Sequence, residues 1–541
     1  GVVTVAGAVA PSSGSGGLAR SMAGMSLLTA LSRATGFVRI VVVAAVVGTT
    51  YLGNVYQSAN GVPNLVFELF VAGTVQAVLI PSLVERLDRG AKGDAEHVAG
   101  AVLGLTTALL ATVAVAGALA APWIARVLFT GTDDPATHDA QVRLATIFLW
   151  YFLPQVVCYA AGLVATSVLN AHDRFALPAV APLANNVVVI TSCALFWWMV
   201  GGEPSLDLSG AEIFVLAGGT TLGVVAFCGL PVVAVWRSNF SIRPNLDRRH
   251  PEVRRLARRG AWAGLFLAST QVLLVVVLVL GNRVEGGVVA YQVAFQFFLL
   301  PYALFALPVL TALFPTLSRL HATGDGQGFA AAVERGVRAV AFLVLPAAAL
   351  LGALSHVIAR TVLFGATTPA GVEHVADALV GFAPGLIGYS LLLFASRVSY
   401  AQGNTRTPAL VNLGVVLVGS VAMVVAFAAV PDEYRIGALA AAHSVAYLLG
   451  AAVLLRLSVA SIHRDHRPSF LPAVGGPAVA AVVVATVVAA ATTRIDSSGR
   501  LAGLVTIAGL GLGGLLGYLL LTWSLGGMRA GELAESLRSG P

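Results

Sequence analysis

Apolar residues fill long runs of this chain, and short clusters of Arg, Asp, Glu, Gly and Pro interrupt them at fairly even intervals. A run of about 20 apolar residues is enough for a helix to cross the hydrocarbon core of a bilayer. Runs of that kind fall at 22–48, 54–84, 97–121, 142–169, 177–200, 211–236, 260–282, 288–318, 335–359, 375–402, 408–430, 436–456, 471–492 and 501–525. The pattern predicts an all-α integral membrane protein with fourteen transmembrane helices. Residues 1–21 are rich in Gly and Ser and read as a disordered N-terminal tail; they lack the basic opening of a signal peptide.

Composition sharpens the class. Of 541 residues 57% are hydrophobic and 11% charged, with mean hydropathy +0.87, whereas a soluble domain is about 25% charged. Lipid must be the solvent for most of the chain, which excludes a cytosolic enzyme and a secreted disulfide scaffold. Cys158, Cys193 and Cys228 lie in apolar runs without paired spacing, so neither a disulfide framework nor a metal site follows from them.

The net charge of +7 reports topology. Basic residues gather after the sixth predicted span (Arg237, Arg243, Arg248, Arg249, Arg254, Arg255, Arg258, Arg259), after the second (Arg86, Arg89, Lys92) and after the twelfth (Arg456, Arg464, Arg467). Cytoplasmic loops carry such an excess, which places both termini in the cytoplasm. A nucleic-acid patch is the competing reading of 237–259. The segment lies between two spans without interleaved aromatics, so no nucleic-acid partner is expected.

Short matches recur at nearly constant offsets. Ile80-Pro81-Ser82-Leu83 echoes Phe314-Pro315-Thr316-Leu317, and Ile124-Ala125-Arg126 echoes Ile358-Ala359-Arg360, both 234 residues on. Ala171 and Pro178-Ala179 echo Ala401 and Pro408-Ala409, 230 residues on. A duplication of six spans gives two pseudo-symmetric six-helix lobes of equal orientation, with a site expected between them near the midplane. The two spans left over form a C-terminal appendage. The predicted division is an N-lobe over 22–236, a basic cytoplasmic linker over 237–259, a C-lobe over 260–456, an appendage over 457–525 and a cytoplasmic tail over 526–541.

Charge at membrane depth needs a reason, because insertion of an arginine at a helix centre costs about 2.5–3.5 kcal/mol. The first span holds two, Arg33 and Arg39, about 120° apart on a straight helix. Gly36 between them is a candidate bend. A guanidinium suits bidentate contact with phosphate, so the pair points to an anionic substrate, most simply a phosphate or diphosphate. Snorkelling to the surface would account for one arginine but hardly for both. Glu68 in the second span is read first as charge compensation for Arg33 or Arg39, and second as a proton-coupling group. Asn54, Gln57 and Asn60 form a polar stripe that either lines the site or bonds neighbouring helices. Gln292 and Gln296 in the eighth span admit the same two readings, and Arg397 reads as snorkelling or loop-capping. Gly509, Gly511, Gly513, Gly514 and Gly517 lie in an apolar helix, where they allow close packing and make no dinucleotide loop. His463-Arg464-Asp465 has no kinase domain around it, and no Walker sequence is present. No reaction site is found, so an enzyme is not expected.

The segments LSRATGFVR (31–39), VPNLVFELFVAG (62–73), VLIPSLVERL (78–87), LNAHDRFALPAVAPLANN (169–186), LPYALFALPVLTALFPTLSR (300–319) and RVSYAQGNTRTPA (397–409) resemble the MurJ/MviN lipid II flippases over about 22–525. That family belongs to the multidrug/oligosaccharidyl-lipid/polysaccharide exporter superfamily. The resemblance implies fourteen spans, a cationic cavity opening alternately to each side, and a groove for the polyprenyl tail on the last two helices. Arg33 and Arg39 match the family's first-helix arginines. Ile40 and Asn54 stand where many members have acids, Phe67-Glu68 replaces a basic pair, and Gln296 replaces a further arginine. On this resemblance the expected function is alternating-access transfer of lipid II to the outer leaflet of a bacterial plasma membrane. Its rivals are a flippase for another polyprenyl-diphosphate-linked glycan, a cation-coupled exporter, and a non-transporting scaffold for cell-wall synthases. No cofactor is called for; membrane potential or a monovalent cation is left as the driver.

Overall fold

The computed structural model describes residues 15–70, 72–131, 134–202, 204–248, 269, 271–460, 470–495 and 499–524. Residues 1–14 of the tail over 1–21, residues 260–268 and 270 of the expected span 260–282, the Arg249–Arg259 cluster, the His463-Arg464-Asp465 sequence with Arg467, and the tail from 525 lie outside the described residues. The chain divides into two compact units, Gly1–Gln271 and Val272–Pro541.

The first unit contains α1 (Ser15–Val47), α2 (Tyr51–Phe70), α3 (Ala72–Asp88), α4 (Lys92–Leu128), α5 (Pro135–Phe152), α6 (Gln155–Ala171), α7 (Ala176–Val200) and α8 (Gly210–Trp236). Helix ends follow local chemistry. Asp134 accepts the amides of Ala136 and Thr137 ahead of Pro135, an N-cap followed by proline at the first helical position. Bonds from the Thr137 hydroxyl and amide hold the Asp134 carboxyl below the ordinary carboxylate range. Ser209 and Glu212 close a capping box at α8. Gly201, at φ 69°, ends α7 in the left-handed region that glycine enters without strain.

The second unit contains α9 (Gln271–Gly281), α10 (Gly287–Ala322), α11 (Gly326–Ala353), α12 (Ser355–Val362), α13 (Pro369–Ala401), α14 (Arg406–Ala429), α15 (Asp432–Ser458), α16 (Phe470–Thr492) and α17 (Arg500–Ser524). Among the described residues, eleven helices or helix pairs are long and apolar enough to cross a membrane. They correspond to eleven of the expected runs. Of the other three, 22–48 is covered by the continuous helix α1, 54–84 is divided between α2 and α3, and 260–282 is described chiefly in α9.

The duplication is written in the helix ends. Val47 and Gly281, Asp88 and Ala322, Lys92 and Gly326, Leu128 and Val362, and Pro135 and Pro369 are each 234 apart by subtraction. Ala171 and Ala401, and Ala176 and Arg406, are 230 apart. The four-residue difference arises where α5 and α6 are broken at Leu153-Pro154, while α13 runs unbroken through Pro384.

Small residues bring helices close inside each unit, as is usual where packing must replace a hydrophobic driving force. A methyl group added at Gly381 of α13 would lie 2.4 Å from the Gly437 carbonyl oxygen, and one at Gly219 of α8 would lie 1.8 Å from Ser192 Oγ. On α17, Gly514 packs on Leu350 and Gly503 on Thr361, and Tyr518 donates to the Phe342 carbonyl at 3.0 Å. Gly509, Gly511 and Gly513 have nothing within 4 Å, so close packing explains only part of that glycine stripe.

Residues 237–248 are an extended strap on α4. Asn245 donates to the Gly100 carbonyl at 3.1 Å and the Ser241 amide to Glu96 at 2.8 Å, while Lys92 donates to the Asn239 carbonyl. Phe240 is buried in the core of α3, α4 and α6.

Candidate functional site

On an α-helix Ser32, Thr35, Gly36 and Arg39 share an arc of about 100°, and Arg33 stands about 120° from Arg39. The shared face of α1 meets α7. Asn186 Nδ2 donates to Thr35 Oγ1 at 3.0 Å and to the Ser32 carbonyl at 3.4 Å, and a methyl added at Gly36 would sit 3.7 Å from the same nitrogen. Gly36 lies in an unbroken helix, where it offers Asn186 a flat surface; no break in α1 falls there. Arg39 is half-buried. Arg33 is exposed. The two arginines therefore have different surroundings, one within the first unit and one at its surface.

Among the described residues no carboxylate pairs with Arg33 or Arg39. Glu68 is half-buried and makes no ion pair within 4 Å among the described residues. Its neighbour Phe67 takes the inward face of α2, packing on Tyr159 with ring centroids 4.7 Å apart and planes tilted by 39°, and one residue on the helix turns about 100° away from that face.

The stripe on α2 separates by depth. Asn54 is fully buried, and Gln57 and Asn60 are half-buried. Asn64, one turn further on, accepts a hydrogen bond from Tyr159 Oη at 3.0 Å. Tyr56 Oη meets Thr220 Oγ1 at 2.8 Å, and Gln155 Nε2 donates to Thr221 Oγ1 at 2.8 Å. Gln155 Oε1 is buried with no hydrogen-bond partner among the described residues. The first unit thus contains polar groups from α1, α2, α6, α7 and α8. Sequence reasoning singled out Arg39, Asn54, Gln57 and Asn60 but missed Asn64, Gln155, Tyr159, Asn186 and Thr220. The asparagine pair Asn185-Asn186 inside an apolar run was the available signal.

In the second unit Gln292 and Gln296 are half-buried on α10, without hydrogen-bond partners among the described residues. Their neighbours Tyr291 and Phe295 turn inward to an aromatic cluster with Phe298, Phe382, Tyr389, His443 and Tyr447. Tyr291 Oη meets His443 Nδ1 at 2.5 Å, while His443 Nε2 is buried without a hydrogen-bond partner among the described residues. Arg397 lies over the Phe314 ring at 5.6 Å, which makes it a cation–π contact of α13 with α10. No group of three metal-ligating side chains occurs among the described residues.

Duplicated apolar helices, one half of which carries guanidinium groups with no carboxylate partner among the described residues, define a multi-pass membrane protein of the transporter class. Solved structures carry the same fold. One titled lipid II flippase MurJ, inward closed conformation, aligns with TM-score 0.73 at 20% identity, covering 93% of this chain and 98% of that one. An inward-facing multidrug resistance MATE family transporter aligns with TM-score 0.65 at 12% identity, covering 79% and 94%.

The family model described as lipid II flippase MurJ matches residues 43–507, and the chain belongs to the MurJ family. That match starts beyond Arg39. A probable lipid II flippase MurJ of Rhizobium tropici is 27% identical over 526 residues, 94% of each chain. The lipid II flippase MurJ of Burkholderia cenocepacia is 26% identical over 404 residues, 74% of this chain and 77% of the relative.

Proposed function

We propose that this protein carries lipid II from the inner to the outer leaflet of a bacterial plasma membrane by alternating access. The observation that carries this reading is membership of the MurJ family across residues 43–507. The chemistry of the first unit suits it. Arg33 and Arg39 have no carboxylate partner among the described residues, so their charge is available for a diphosphate, which guanidinium groups bind in bidentate fashion. Gln57, Asn54, Glu68, Gln292 and Gln296 are the remaining candidates for head-group contacts, and the polyprenyl tail would stay in lipid along α16 and α17. Both termini are assigned to the cytoplasm from the arginine-rich connections. The reading is of a transporter and not an enzyme. Membrane potential is a sufficient driver for a charged carrier, at about 2.3 kcal/mol per charge per 100 mV.

The test is lipid II exposure on bacteria depleted of their own flippase, expressing either the wild type or Arg33→Ala/Arg39→Ala. Exposure is expected with the wild type and not with the double variant. Restoration by both would remove the arginines from the mechanism. Restoration by neither, at normal membrane levels, would shift the assignment to another polyprenyl-diphosphate glycan or to a scaffold recruiting cell-wall synthases.

A further inference from the structure

We propose that Asn186 is a positioning residue for transport: by gripping α1 at Ser32 and Thr35 it fixes the roll of that helix, and with it the directions of Arg33 and Arg39. The inference rests on the reading of those arginines as diphosphate ligands. Asn186 is 4% exposed, and its amide nitrogen reaches two acceptors on α1, Thr35 Oγ1 at 3.0 Å and the Ser32 carbonyl at 3.4 Å. Those acceptors lie on the α1 face that also carries Arg39, one turn beyond. Apolar contacts between two helices permit small rotations, whereas a buried amide bonded to two fixed acceptors admits one angle.

The duplicated half supplies an internal comparison. At the 234-residue offset the counterpart of Arg39 is Leu273, and at the 230-residue offset the counterpart of Asn186 is Val416. Both are buried, and Leu273 packs against Gly419 of α14. At these two positions the half with the arginine carries the asparagine, and the half with the leucine carries a valine.

The experiment measures binding of lipid II and of undecaprenyl phosphate, a monophosphate lipid, to the full chain in nanodiscs. Asn186→Ala, Thr35→Val, Thr35→Ser, the Asn186→Ala/Thr35→Val pair and Arg33→Ala/Arg39→Ala are compared. Loss of one such bond is expected to weaken lipid II binding about tenfold in Asn186→Ala and in Thr35→Val. The pair should be no worse than either single variant, Thr35→Ser should match the wild type, and preference for diphosphate over monophosphate should fall. An equal loss for both lipids would mean general loosening and overturn the proposal. A loss in Asn186→Ala without one in Thr35→Val would make Asn186 act on its own, and would also overturn it. If Asn186→Ala fails to fold, the contrast of Thr35→Val with Thr35→Ser carries the same decision. Normal binding by Asn186→Ala and Thr35→Val, with loss in the arginine variant, sinks this proposal and leaves the proposed function standing. Normal binding by the arginine variant sinks the diphosphate reading and this proposal together.

Discussion

His443 sits among aromatic rings and has one hydrogen-bond partner among the described residues, the Tyr291 hydroxyl at 2.5 Å from Nδ1. Its ring lies 4.5 Å from that of Tyr447 and 5.9 Å from those of Phe295 and Phe382. Tyr291→Phe leaves both imidazole nitrogens bare, and His443→Phe strands the hydroxyl; each should cost about 1–3 kcal/mol, the usual penalty for a buried group stripped of its partner. The double variant removes both polar groups from an aromatic site of suitable shape and should return close to wild-type stability. Thermal unfolding of the four proteins in detergent checks this cycle, and additive losses would show that the pair is tied to a wider network. Lipid II exposure measured beside it would reveal a transport role if the stable double variant were inactive. The sequence showed Arg33 and Arg39 because charge in an apolar run stands out against the lipid solvent. It could not show Tyr291 with His443, or Asn186 with Thr35, because partners about 150 residues apart meet only when helices pack.

Most helices were legible because lipid imposes one rule, a long apolar run with its backbone satisfied internally. The strap over 237–248 was not. Its arginines marked it as a cytoplasmic linker, yet Phe240 is buried among α3, α4 and α6, and Ile242 packs beside it. Its seat is the pair Gly100 and Gly104, one turn apart on α4. A methyl added at Gly104 would lie 2.1 Å from the Asn245 carbonyl oxygen, and one at Gly100 would lie 2.2 Å from that of Arg243. Backbone atoms cannot yield as a flexible side chain would, so Gly104→Ala should lift the strap. Releasing Phe240 gives up about 1.5–3 kcal/mol of burial, which predicts roughly 10- to 150-fold faster amide exchange at Asn245. Gly93→Ala, with nothing within 4 Å, is the matched control. Unchanged exchange in Gly104→Ala would mean that the strap is held by its side chains alone.

At the scale of the whole chain, a shared backbone plan carries unlike chemistry in its two halves. Tyr159 and Tyr389 are equivalent at the 230-residue offset, and Asn64 and Phe298 at the 234-residue offset. The same two positions therefore touch in both units, as a 3.0 Å hydrogen bond in the first and as aromatic rings 5.5 Å apart in the second. Arg39 and Leu273 carry the contrast furthest, since one is a half-buried cation and the other a buried leucine against Gly419. Exchanging these residues should have opposite consequences. Arg39→Leu removes a half-buried charge that has no carboxylate partner among the described residues, so yield and melting temperature should hold or rise while lipid II exposure is lost. Leu273→Arg places an unpaired cation in an apolar contact, where about 2.5–3.5 kcal/mol of insertion cost adds to the clash with α14. Membrane-inserted yield should then fall sharply. Measuring yield, melting temperature and lipid II exposure for both variants separates transport from folding. If Arg39→Leu folded poorly, the arginine would be a structural strut of the first unit. If Leu273→Arg folded normally, the second unit would hold polar space that its aromatic packing does not suggest.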